Sequence, residues 1–108
     1  MAAAQPGDVL EIAPGRHALP STLRTRQGGR ADAPITLRAA RAGSVTLEVR
    51  DVEGAVVSHP YWVFENLGWK GLCRADDECE HALHVVGPAR GTVVRNNHFA
   101  DFSAHLKI

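Results

Sequence analysis

The sequence is short of lysine, of net charge, of cysteine and of long apolar runs, and each shortage removes a class of function. Lysine occurs only at Lys70 and Lys107, against ten arginines. Twelve basic side chains balance twelve acidic ones, so the formal net charge is zero. That leaves no electrostatic footprint for nucleic acid or for an anionic membrane surface. No apolar run approaches the roughly 20 residues that cross a bilayer. The opening Met1-Ala2-Ala3-Ala4-Gln5 is too short for a complete secretory signal. No glycine-rich phosphate loop, serine-nucleophile motif or paired-carboxylate motif stands out. Gly28-Gly29 is a flexible turn, too short to cradle a nucleotide. What remains is an ordinary globular balance, with 44% hydrophobic and 22% charged residues, which argues against a disordered chain.

The apolar pattern has a short period throughout. Val9-Leu10-Glu11-Ile12 is strand-like and is broken by Pro14-Gly15. Pro34 to Ala39, Val45 to Val49, Ala55 to Val57, Trp62 to Glu65, Ala82 to Val86, Thr92 to Arg95 and His105 to Ile108 follow the same style. No window holds a helical period over three turns. The chain reads as eight or nine strands of three to five residues, punctuated by glycine and proline.

An internal repeat selects the architecture. Trp62 to Leu72 lies over Thr92 to Phe102 at an offset of 30. Val63 then meets Val93, Phe64 meets Val94, Asn66 meets Asn96, Trp69 meets Phe99 and Leu72 meets Phe102. A second match has an offset of 23, with Leu83 over Leu106, His84 over Lys107 and Val85 over Ile108. A single solenoid turn cannot bury its inward face alone, so successive turns stack like on like. Asparagine tolerates the left-handed backbone of a sharp corner, so Asn66 and Asn96 are expected at stacked corners, their amides hydrogen-bonding along the stack. A loop inserted at 70–80 accounts for the difference between the two offsets. It holds Cys73 and Cys79, which either form a local disulfide, as suits an exported protein, or stay as two thiols.

These residues carry a resemblance. Ala3 to His17, with Pro6-Gly7-Asp8 leading into a first strand, resembles the opening of pectate-lyase-like right-handed parallel β-helix proteins. Ala33 to Ala39 followed by Gly43 to Leu47 is similar to the next coil of the alginate lyase and chondroitinase B type. Val93 to Phe99 is similar to the generic coil repeat. One departure is that Glu48-Val49-Arg50 follows Leu47, where the lyase pattern usually has a glycine. The resemblance implies an all-β, right-handed parallel β-helix of about three to four coils, as one segment spanning 1–108. Residues 2–5 would be the end of a capping helix, and the chain would be cut at both ends. An uncovered last coil would favour end-to-end self-association, unless another chain is its true partner.

The candidate chemistry is sparse. Asp76, Asp77, Glu78 and Glu80 could give oxygen ligands to Ca²⁺, but their spacing matches no complete calcium loop, so a solvated loop is the plainer expectation and no cofactor is assigned. The histidines are His17, His59, His81, His84, His98 and His105. His81 and His84 are expected on opposite faces of a strand, and neither they nor the cysteine spacing suggests zinc. The resemblance implies a substrate groove along one outward face, where His84 and Lys107 would project from adjacent coils. A lysine neutralises a uronate carboxylate, and a histidine can accept a proton near neutral pH. The alternative is that both are ordinary solvent-facing residues. The family's catalytic lysine and arginine belong to later coils and map onto no residue here. Trp62, Phe64, Trp69, Phe99 and Phe102 fall on repeat positions and are expected in the core, with Tyr61 less constrained.

The functional expectation is therefore the N-terminal coils of a secreted or periplasmic carbohydrate-active protein. Its parent would be a polysaccharide lyase acting on an acidic polysaccharide, with this chain inactive alone. The competing expectation is a non-catalytic surface or adhesion scaffold.

Overall fold

Period-two stretches separated by glycine, proline and asparagine build three parallel sheets that share one interior. The computed structural model describes residues 4–75 and 78–108. Twelve strands follow in order: β1 (Val9–Glu11), β2 (Gly15–Ala18), β3 (Leu23–Arg24), β4 (Ile35–Arg38), β5 (Val45–Val49), β6 (Glu53–Val57), β7 (Trp62–Glu65), β8 (Gly68–Gly71), β9 (His81–Val85), β10 (Val93–Arg95), β11 (His98–Ala100) and β12 (Leu106–Lys107). The first sheet has the order β1-β4-β7-β10, the second β2-β5-β8-β11 and the third β3-β6-β9-β12. All pairings in these sheets are parallel. Each strand therefore pairs with the strand three further along the chain, which is a β-solenoid of about three turns.

Register makes the interior a set of columns. Leu10, Leu37, Phe64 and Val94 stack in the first sheet. His17, Leu47, Trp69 and Phe99 stack in the second, and Leu23, Ala55, Leu83 and Leu106 in the third. Trp62, Phe64, Trp69 and Phe102 are buried, as expected, while Phe99 on the last rung is half-buried. Burying one such side chain is worth roughly 1.5–3 kcal/mol, and the middle rungs gain most because both neighbours cover them. Four strands are absent from the hydrophobic pattern: β2, β3, β8 and β11. Each is short or rich in glycine and polar residues, so pairing with a neighbouring rung, not its own sequence, makes it a strand.

The corners behave as their residues dictate, with one correction. Asn66 and Asn96 both adopt left-handed backbone, at φ 61° and 55°, one rung apart. Asn66 does not bond to Asn96, however: its amide donates to the carbonyl of Ala39 on the preceding rung at 3.1 Å. Asn97 does more than the repeat foretold. Its amide nitrogen donates to the carbonyl of Phe64, and its oxygen accepts from the Trp69 indole. Tyr61 and Asp101 are also left-handed, and neither is apparent from the sequence. Tyr61 is half-buried, with the Arg90 guanidinium 5.9 Å from its ring centroid.

The inserted loop starts at Leu72, because β8 runs through Gly71. Cys73 and Cys79 are joined in a disulfide, which decides between the two expectations. Cys79 is fully buried, so the bridge fixes the loop to the interior just before β9. Asp76 and Asp77, half of the acidic cluster considered for Ca²⁺, lie outside the described residues; Glu78 and Glu80 lie within them. Ala2 and Ala3, half of the expected capping-helix end at 2–5, also lie outside. Ala4 and Gln5 are not helical; Ala4 is buried, and its carbonyl accepts from the side-chain amide of Gln27.

Candidate functional site: the outward face of the third sheet

The same register that stacks apolar residues inside stacks polar ones outside. On the first sheet the outward row is Glu11, Arg38, Glu65, Arg95. Its signs alternate, and it pairs along its own length, with Arg38 to Glu11 at 3.2 Å and Arg95 to Glu65 at 3.3 Å. The second sheet carries Glu48 beside Lys70, with Arg16 4.0 Å from Glu48 and Lys70 bound to Asp101.

The third sheet differs. Its outward row is Arg24, Val56, His84, Lys107. His84 and Lys107 are thus adjacent on neighbouring rungs, where the repeat placed them. Arg24 and Lys107 are exposed, and among the described residues neither takes part in an ion pair. His84 is held from one side: its Nδ1 lies 2.6 Å from Oε2 of Glu53. Side-chain exposures of 22% and 19% leave the two half-sheltered. A carboxylate favours the proton on the ring nitrogen that faces it. The neutral ring then keeps its lone pair on Nε2, which has no protein partner among the described residues.

His81 overturns a simpler expectation. Strict alternation would put His81 and His84 on opposite faces, yet their ring centroids are 6.1 Å apart. The reason is a break in the pleat: Ala82 and Leu83 are both buried, as are Gly54 and Ala55 on the neighbouring strand. Gly54 permits it, since a Cβ there would come within 2.6 Å of the Ala82 carbonyl. His81 and His84 consequently flank the same outer surface. His81 is fixed by donating its Nδ1 proton to the carbonyl of Ala104 at 2.9 Å, and its Nε2 lies 3.9 Å from Glu80. His105 stands over Ala82, its carbonyl accepting from the Ala82 amide, and its ring stacks on Phe99.

Arg24 and Glu53 belong to this face but escape a reading of the sequence by itself. The signal was present for Glu53. Glu53-Gly54-Ala55-Val56-Val57 aligns with His81-Ala82-Leu83-His84-Val85, but the small residues in both segments mask the apolar match. Among the described residues no group of three or more His, Cys, Asp or Glu side chains is arranged to hold a metal ion. No enclosed pocket opens among them either, so this site is a strip on a surface.

No family model, curated protein or solved structure matches this chain.

Proposed function

We propose that this solenoid belongs to an exported protein that handles an acidic polysaccharide, and that the outward face of the third sheet is its binding strip. The observation that carries this is the contrast between rows. The first sheet neutralises its own charges, whereas Arg24 and Lys107 are exposed and, among the described residues, unpaired, on either side of Val56 and His84. Rungs repeat at about 4.8 Å, so Arg24 and Lys107, three rungs apart, offer an extended polyanion two cationic points roughly 14 Å from each other. Paired with uronate carboxylates, they lower the charge that opposes removal of the neighbouring proton. His84, steadied by Glu53, supplies a ring nitrogen able to accept a proton. The Cys73–Cys79 bridge supports the exported setting.

The strip is suited to binding rather than to turnover by this chain alone. β-Elimination from a uronate needs a base for the proton and a donor for the departing glycosidic oxygen, held around one sugar with water excluded. One flat face offers no opposing wall. A parent lyase would draw the remaining groups from elsewhere. The scaffold reading keeps one observation in its favour, the self-neutralised first sheet.

Binding decides the matter. Affinity electrophoresis in gels containing alginate, chondroitin sulfate or neutral dextran should show retardation by the acidic polymers only, weakening as salt rises. Reversing both Arg24→Glu and Lys107→Glu should weaken retention on the order of a hundredfold at low salt, with unchanged circular dichroism. Equal retention of the double variant, or none by the native chain, would remove the proposal. Absorbance from a new double bond should not rise with this chain alone.

A further inference from the structure

The break in the pleat at Gly54 and Ala82 has a chemical product. Two imidazoles three residues apart share one side of the third sheet, where a regular strand would part them. Their ring centroids are 6.1 Å apart, with the ring planes inclined at 55°. Each ring has its Nδ1 engaged by an acceptor. The carbonyl of Ala104 takes the Nδ1 proton of His81 at 2.9 Å, and Oε2 of Glu53 lies 2.6 Å from Nδ1 of His84. An acceptor at Nδ1 fixes the tautomer and leaves the lone pair of the neutral ring on Nε2. That of His84 meets no protein donor among the described residues. That of His81 has the Glu80 carboxylate 3.9 Å away, and an ionised carboxylate has no proton to give it. Both rings are partly exposed, so both lone pairs are open to an external acid.

We infer that His81 and His84 form a two-histidine site for a transition-metal ion of the Zn²⁺, Ni²⁺ or Cu²⁺ class, bound through both Nε2 atoms. Imidazole nitrogen suits these ions. A metal-bound histidine characteristically gives its other ring nitrogen to a carboxylate or a backbone carbonyl, and one of each stands here. With metal–nitrogen bonds of about 2.0–2.1 Å, two imidazoles on one ion hold their centroids about 5 to 6 Å apart. The observed separation lies at the wide end of that range, so a small rotation of the side chains closes the chelate. The surrounding charge favours a cation: Glu53 and Glu80 bring two carboxylates, against Lys107 on the next rung, which is exposed and screened by salt. With two protein ligands, fewer than a structural metal centre uses, the ion is exchangeable and keeps positions open to water or to an oxygen ligand. A bound ion occupies the lone pair that a proton would take, so His84 anchors when the site is filled and accepts a proton only when it is not. The site stands apart from the polysaccharide reading, and its test uses no polymer.

The probe is Cu²⁺ chelated by iminodiacetate, which leaves positions on the ion for two imidazoles. Isothermal titration of the native chain should show one tight equivalent, since a lone imidazole holds this probe weakly. His81→Ala and His84→Ala should each weaken that equivalent by about tenfold or more, because the second imidazole binds as an intramolecular step. The double variant should be hardly weaker than either single one, and unchanged circular dichroism would show that each variant folds. Electron paramagnetic resonance of the native complex should show two imidazole nitrogens on the copper, whatever the variants do. Ca²⁺, which seeks oxygen ligands, should not displace the probe. No tight equivalent, an equivalent untouched by either substitution, losses that add in the double variant, or a single imidazole in the native spectrum would overturn the inference.

Discussion

The first and third sheets are built from the same rungs, yet their outer faces come out differently. The first carries acid and base in strict alternation, every charge answered by its neighbour. The third carries Arg24 and Lys107, unanswered among the described residues, with His84 leaning on Glu53 from the side. The two faces are also closed differently. The first sheet ends at the left-handed corner of Asn66, and the third is entered through the disulfide-clipped loop. A solenoid therefore standardises its interior and leaves each outer face to be set by one residue per rung. Charge left unpaired on such a face marks where an external partner can supply the missing sign.

Three perturbations test that contrast. The largest effect should follow loss of the Cys73–Cys79 bridge. Replacing both cysteines with alanine should lower unfolding stability by about 2 kcal/mol, the chain-entropy value for so short a loop. Urea titration measures the loss. Hydrogen exchange should quicken at 81–85 more than at 62–65; equal quickening would mean that the loop does not set the third face selectively. Next comes the corner of the first sheet. Asn66→Ala should cost about 1 kcal/mol through the left-handed backbone and the lost bond to Ala39, whereas Asn66→Gly should cost less. If glycine is as damaging as alanine, the amide bond and not the backbone holds the corner. Smallest is Glu65→Gln, which releases Arg95 from its exposed pair. Stability should change by less than about 0.5 kcal/mol, while alginate retention rises modestly because the first face now resembles the third. No change in retention would show that the unpaired cation count is not what the polymer reads.

Much of the fold was legible because stacking leaves a signature in one sequence. The offsets of 30 and 23 between large apolar residues reappear as paired strands, and the loop between them explains the difference. His84 beside Lys107 was legible for the same reason. Other parts were hidden by physics that acts only in three dimensions. Gly54 and Ala82 break the pleat together, so His81 swings to the side of His84 against simple alternation. Arg24 reaches the strip through a two-residue strand that exists only by pairing with β6. Asn97, to which the repeat assigned no role, secures the Trp69 indole. The charge ladder of the first sheet was half visible, in the match of Glu65 with Arg95; its lower half required the register of β1 on β4.

Equivalent positions recur here at unequal spacings, from the short step of Thr46 to Gly68 to the long step of Leu23 to Ala55, while the strands keep their registration. The architecture counts strands and not residues. Corner segments can lengthen or shrink without turning a single outward side chain inward, as the loop between β8 and β9 already demonstrates. Evolutionary tinkering at the corners is therefore uncoupled from tinkering along the faces. New segments can be hung beside an existing strip, and strips can be recoloured one residue at a time, with neither change disturbing the other.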